Sequence, residues 1–273
     1  MREFICIVSD PQKFGRGHLS RQKQIQAEFS GLGIDYPIYF ELSSISVGKG
    51  CTLILDLSDQ DDEPSVNFIE QFDEIIGFDW SGSLIPDWNY VVLEHPEKIY
   101  QAKKSVITGL NNLIVSPKIS SLRKTPPSFS KHFLLISLGY SAASSAYRRA
   151  LATRQSWGDL LIVLASGRHL DFNSTESLHV VYNSPNFLEI IAAATCVISN
   201  GGTTFVESLL MGKAVLPMPQ SSSEEFFVDA LLPLTDEDFS LPSFRKLNFE
   251  RALKVGVDTK GAERLCTMIL ANK

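Results

Sequence analysis

The chain has 273 residues, a net charge of −6, 44% hydrophobic and 21% charged residues. That balance suits a folded protein with one large or two medium domains; with no basic stripe in view it argues against nucleic acid as a partner. No apolar run approaches the ~20 residues a membrane span needs, so no transmembrane segment is expected.

The first apolar run, within 1–10, is too short for a signal peptide, and Asp10 interrupts it. It is predicted as a strand over 4–8, followed by a polar loop over 9–17. A helix is expected over 18–29, ended by Gly31-Leu32-Gly33. Strands follow at 36–42 and 52–57, then an acidic loop, a short helix at 66–72 and strands at 74–78, 90–93, 105–107 and 112–115. Proline-bearing residues 116–131 read as a linker.

The pattern then restarts with a strand over 133–138, a helix over 143–154, strands over 160–165 and 179–182, and a helix over 185–194. Residues 195–199 form the next strand, which breaks at Asn200-Gly201-Gly202. A helix with Val206, Leu209 and Leu210 on its inner face ends at Gly212, and Ala214-Val215-Leu216 is the next strand. Helices are expected over 223–231, 248–255 and 259–270. Strands alternating with helices predict parallel sheets, and two such runs predict two α/β domains, 1–122 and 123–273. In such a pair, a ligand is expected in the cleft at the carboxyl ends of the strands.

Four cysteines without CxxC spacing, three of them in apolar runs, predict reduced core thiols in a cytoplasmic protein. The five histidines make no ligand pattern, so neither metal nor cofactor is expected.

Two stretches carry candidate chemistry. In the first, Asn200, Gly201 and Gly202 lie between a strand end and a helix start. There the backbone approaches a ligand closely, and the first helical N–H groups face outward as an anion site suited to a diphosphate. Thr203 and Thr204 add hydroxyls. Glu207, four residues after Thr203, is placed on that same face and off the core stripe, where a carboxylate accepts from the two hydroxyls of a ribose. The same residues also suit an ordinary turn with a favourably placed acid and no ligand. In the second stretch, Gly15-Arg16-Gly17-His18-Leu19-Ser20-Arg21 follows the first strand. At a helix start, with Arg21 one turn on, imidazolium is disfavoured, leaving a neutral base. Arg21 is also a candidate for substrate charge. The alternative is a capping His18 and a solvated Arg21.

Together, Gly15-x-Gly17-His18-x-x-Arg21, Ser199-Asn-Gly-Gly-Thr-Thr-x-x-Glu207 and Gly212-Lys-Ala resemble the GT-B fold, two Rossmann-like domains facing a cleft. Within it the chain most resembles the UDP-sugar hydrolases of pseudaminic acid biosynthesis and related spore-coat polysaccharide proteins. The resemblance implies a UDP-sugar substrate in surface polysaccharide or nonulosonic acid biosynthesis. It also implies that His18 is the base that activates water at the anomeric carbon and that Glu207 is the ribose ligand. It places Gly139, in the turn opening the second domain, at the substrate. There are departures: Leu57-Ser58 follows Asp56 where the family carries an aromatic or histidine, Asn112 to Ser116 lack its tyrosine and arginine, and Gly139-Tyr140 replaces its Gly-Gly turn. An inverting GT-B glycosyltransferase uses the same two motifs with a sugar hydroxyl as nucleophile. A non-catalytic nucleotide-sugar binding protein is the third alternative.

Overall fold

The computed structural model describes residues 3–14, 16–41, 45, 50–57, 64–78, 90–93, 105–108, 113–128, 132–140, 142–153, 160–221, 224, 225, 228 and 258–271. The chain divides into two compact units, residues 1–114 with 260–273, and residues 115–259.

In the first unit, β1 (Glu3–Val8), β2 (Ile38–Tyr39), β3 (Cys51–Asp56), β4 (Glu74–Phe78), β5 (Tyr90–Leu93) and β6 (Ser105–Thr108) form one sheet in the order β2-β1-β3-β4-β5-β6. Every pairing among them is parallel. β1 and β3 read as nearly unbroken apolar runs because both faces of the sheet are covered. Alternation then sorts them. Phe4, Cys6, Val8 and Ile54 pack beneath α2 (Gly17–Gly31) with Ile25 and Phe29. Ile5, Ile7, Leu53 and Leu55 pack on the opposite face with Ile69 of α3 (Val66–Ile69). Asp56 has the parity of Ile54, so the last residue of β3 faces α2.

Within the loop expected over 9–17, a short helix α1 (Pro11–Phe14) is present. Proline suits its first position, and Asp10 caps it by accepting from the Gln12 N–H at 2.8 Å. β2 is two residues long rather than seven, since Pro37 has no N–H to give; its carbonyl accepts from Cys6. Residues 113–115 are buried but form no strand.

In the second unit, β7 (Phe133–Ser137), β8 (Leu161–Ser166), β9 (Leu178–Tyr182), β10 (Cys196–Ser199) and β11 (Ala214–Pro217) form a parallel sheet in the order β11-β10-β7-β8-β9. Its helices are α4 (Lys118–Lys124), α5 (Ser144–Ala152), α6 (Phe187–Ala193) and α7 (Thr203–Leu210). α5 buries Ala146, Tyr147 and Ala150 against Leu134, Ile136, Ile162 and Leu164. The proline-bearing stretch read as a linker contains α4, started at Pro117 and anchored by buried Ile119. The last helix, α8 (Gly261–Ala271), packs on α2 of the first unit through Ala262, Leu265, Cys266 and Ile269. The division therefore falls at 114/115 and again at 259/260, where the sequence reading had a single change at 122/123. Of the helices expected over 223–231 and 248–255, only residues 224, 225 and 228 are described, and they are helical.

Candidate functional site

In the first unit the strand order reverses between β1 and β3. β2 lies beyond β1, and β4 to β6 lie beyond β3. Carboxyl strand ends at such a reversal are where open parallel sheets hold ligands. α2 begins there at Gly17, and His18, on its first turn, keeps 24% of its side chain exposed. Gly15 lies outside the described residues.

Beneath His18 is a buried polar network. The Asp56 carboxylate has 0% exposure and takes four hydrogen bonds. Oδ1 accepts from His18 Nδ1 at 2.7 Å and from Arg21 Nη2 at 2.5 Å. Oδ2 accepts from Arg21 Nε at 2.9 Å and from Gln22 Nε2 at 2.7 Å. Gln22 Oε1 in turn accepts from the Tyr36 hydroxyl at 2.7 Å. Burial by itself pushes the Asp56 carboxyl up, but the Arg21 guanidinium, and then His18, outweigh it and hold the group well below the usual carboxylate range. An ionised carboxylate only accepts, so Nδ1 of His18 carries the proton. In the neutral ring Nε2 then holds the lone pair, and it has no hydrogen-bond partner among the described residues. The arrangement presents a basic nitrogen of set tautomer.

Arg21 departs from both expectations made of it. It is buried, with its fork on Asp56 and its guanidinium carbon 5.5 Å from the centre of the Phe78 ring. Its position one turn after His18 points it inward, at the one carboxylate of the β3 end. It is thus a counter-charge inside the fold. Asp56 was legible as the lone acid closing an apolar run, Cys51-Thr-Leu-Ile-Leu-Asp56. Its role needed the pairing of Val8 with Asp56 that brings β3 beside the start of α2.

In the second unit the order reverses between β7 and β10. Gly139 follows β7 and Asn200-Gly201-Gly202 follows β10, and the structure brings these two turns together. Gly139 has φ +84°, and a Cβ there would lie 2.7 Å from Asn200 Nδ2. The positive φ favours glycine, and a Cβ would also push the Asn200 amide aside. Asn200 Nδ2 donates to Glu224 Oε1 at 2.5 Å, and the Gln220 N–H donates to Glu224 Oε2 at 2.6 Å. A Cβ on Gly201 would sit 2.4 Å from the Glu224 carbonyl oxygen. Glu224 and Gln220 were not singled out from sequence; nothing in their spacing marks them. Gly202 precedes α7, where its carbonyl accepts the first helical bond, from Phe205. The N–H groups of Thr203 and Thr204 thus begin the helix without an intrahelical acceptor. Thr203 is exposed and Thr204 half-buried.

Glu207 does not lie on an open face. Phe205 to Leu210 are all buried, because α7 packs against β10, β11, α4 and α6. Glu207 is 7% exposed and makes no side-chain hydrogen bond with the described residues. Burial alone pushes its pKa up to about 8. It is mostly protonated at pH 7 and has no side-chain partner among the described residues. Gly212, with φ +72°, ends the helix as expected. No helix among the described residues is long and apolar enough to cross a membrane.

No family model matches the chain, and no curated protein matches it in sequence. Solved structures match along the whole length. The glycosyltransferase SnogD from Streptomyces nogalater superposes with a TM-score of 0.53 at 13% identity, covering 99% of each chain. Acinetobacter baumannii MurG gives 0.52 at 11%, over 99% of this chain and 100% of its own. The UDP-GlcNAc 2-epimerase of Methanocaldococcus jannaschii, solved with UDP-GlcNAc and UDP, gives 0.57 at 9% over 100% of both. With the two parallel sheets, these likenesses establish the GT-B architecture of two Rossmann-like domains.

Proposed function

We propose that the protein is a nucleotide-sugar enzyme that displaces UDP from the anomeric carbon with inversion, and that its nucleophile is a sugar hydroxyl. The observation that carries this reading is the hydrogen bond of 2.7 Å between His18 Nδ1 and buried Asp56. A ligand-binding protein has no need of a histidine whose ring is fixed by a buried carboxylate with its second nitrogen left open; a general base does. His18 takes the proton of the attacking hydroxyl. Asp56 holds the ring and stabilises the imidazolium that forms, as in a base–orienter pair. The turns at Gly139 and Asn200-Gly201-Gly202 receive the diphosphate, and the N–H groups at the start of α7 stabilise the charge of the leaving group. UDP binding is therefore expected to be unchanged by a chelator. Glu207 takes the ribose hydroxyls. Support from likeness comes from SnogD and MurG, whose whole chains share this architecture.

The second reading is hydrolysis, with water in place of the hydroxyl. The Gly15-x-Gly17-His18-x-x-Arg21 motif and its resemblance to the UDP-sugar hydrolases favour it. One experiment divides the two: a panel of UDP-sugars with and without sugar acceptors, followed by UDP release. Release only with acceptor supports transfer. Release without acceptor supports hydrolysis. No release under either condition, with UDP still bound, supports the non-catalytic alternative.

A further inference from the structure

We infer that Gln22 is a positioning residue that sets the protonation behaviour of His18 through Asp56, and that Tyr36 supports it by filling the Gln22 amide oxygen. The inference rests on the reading of His18 as the base.

Neither residue touches the exposed edge of His18, and both are inside the fold, Gln22 at 0% and Tyr36 at 1% exposure. The two ends of a glutamine amide have nearly the same shape and opposite hydrogen-bonding character. Turned one way, Gln22 donates to Asp56; turned the other, it aims a carbonyl oxygen at an ionised carboxylate. Asp56, which only accepts, calls for the nitrogen end, and the Tyr36 hydroxyl reinforces that choice by donating to Oε1 at 2.7 Å. That hydroxyl is itself held firmly. The Tyr36 ring stacks on Phe29 with centroids 5.0 Å and planes 13° apart, and its other aromatic neighbour, Phe4, is 6.2 Å away. The Tyr36 backbone carbonyl accepts from Gln26 Nε2 at 2.6 Å. Burial pushes the phenol pKa well up, so the group stays a donor across the working pH range.

A run of contacts therefore leads from the aromatic core to the base. Tyr36 fills the Gln22 amide oxygen, Gln22 fills a lone pair of Asp56 Oδ2, and Asp56 Oδ1 is left to His18 and Arg21. The charged and titratable groups around it are Arg21 on α2, Cys6 on β1 and Cys266 on α8, with Asp56 and His18 themselves. Both thiols are kept neutral by burial. Arg21 is then the fixed positive charge, and Gln22 the adjustable donor. With that donor withdrawn, Asp56 leans more heavily on His18 and favours imidazolium.

The test uses Tyr36→Phe, which removes one oxygen and keeps the ring, with Gln22→Leu and the double variant. The His18 ring is followed by nitrogen-15 NMR on the free protein, its signals identified by their loss in His18→Ala. In the wild type the neutral ring carries its proton on Nδ1. In Gln22→Leu the His18 titration midpoint should rise by about half a pH unit or more, and in Tyr36→Phe by less. The double variant should match Gln22→Leu alone, because Tyr36 acts only through Gln22. With a nucleotide sugar that turns over, kcat in Gln22→Leu should fall about two- to threefold at neutral pH while KM holds, as half a unit of midpoint shift requires. A residue that only fills the core predicts a lower Tm with the midpoint unchanged, and that result overturns the inference. It leaves the base reading untouched, which fails separately if His18→Ala keeps wild-type turnover.

Discussion

Each sheet has a buried carboxyl group close to its strand-order reversal, and the two are in opposite conditions. Asp56 has every lone pair engaged by the chain itself and is held ionised by Arg21 and His18. Glu207 has no such partner among the described residues, and burial pushes its pKa up to about 8. Buried polar groups are nearly always paired, so an unpaired one calls for a reason. A group completed within the fold serves to position a neighbour. A group left incomplete is free to be completed by a ligand. This difference separates the catalytic side of the account from its binding side.

Removing the completed carboxylate should have the largest effect. Asp56→Ala removes the buried counter-charge that Arg21 and His18 share, a loss of about 3–5 kcal/mol. Urea unfolding, read by hydrogen exchange in α2, measures it; a change below ~1 kcal/mol would break the comparison. Acid should do the same to the wild type. Asp56 ionises near 3.8 when unfolded and lower when folded, so the folded state binds fewer protons. Its contribution is present above about pH 4 and drains away as pH falls below that.

Glu207 should behave with the opposite sign. It ionises near 4.5 when unfolded and near 8 when folded, so between those values the folded state holds the extra proton and stability falls as pH rises. Glu207→Gln should therefore stabilise the second unit by about 2 kcal/mol or more at pH 9 and change little at pH 5. The pH dependence of Tm for both proteins checks this, and parallel curves would contradict it. The same site sharpens the binding side. Glu207→Ala should weaken UDP about tenfold in calorimetry and leave pyrophosphate alone, since the lost hydrogen bonds are to ribose. Equal losses for both ligands would remove Glu207 from the ribose.

The smallest effect expected is at Gly139. Alanine there adopts a left-handed conformation at about 1–2 kcal/mol, with its Cβ against Asn200. Weaker UDP binding should accompany the stability loss, because Asn200 must shift. Unchanged affinity would separate Gly139 from the ligand.

Most of the fold could be read from apolar runs and turn residues. β4 and β5 fall at 74–78 and 90–93 as expected, and the Asn200-Gly201-Gly202 turn joins a strand to a helix. Attribution of α8 could not be read, because its stripe of Ala262, Leu265, Cys266 and Ile269 names an inner face without naming the surface it covers. For the site, helix numbering placed His18 correctly at a helix start. The same numbering misled for Glu207. An i, i+4 relation to Thr203 gives a shared face, but it does not say that residues 205–210 of α7 are buried where the helix packs on β10, β11, α4 and α6. Gln22 shares α2 with His18, but Asp56 and Tyr36 come from separate stretches, and only the tertiary fold brings them beneath it.

The most direct test of the account is the rate of UDP release against pH, for wild type and His18→Ala, with whichever UDP-sugar and acceptor turn over. The account predicts an acidic limb in the wild type that reports protonation of a single group. In His18→Ala that limb disappears, turnover falls by about 10²–10⁴-fold, and KM stays close to its original value. Turnover near wild type, with the acidic limb intact, would contradict the assignment of His18 as the base.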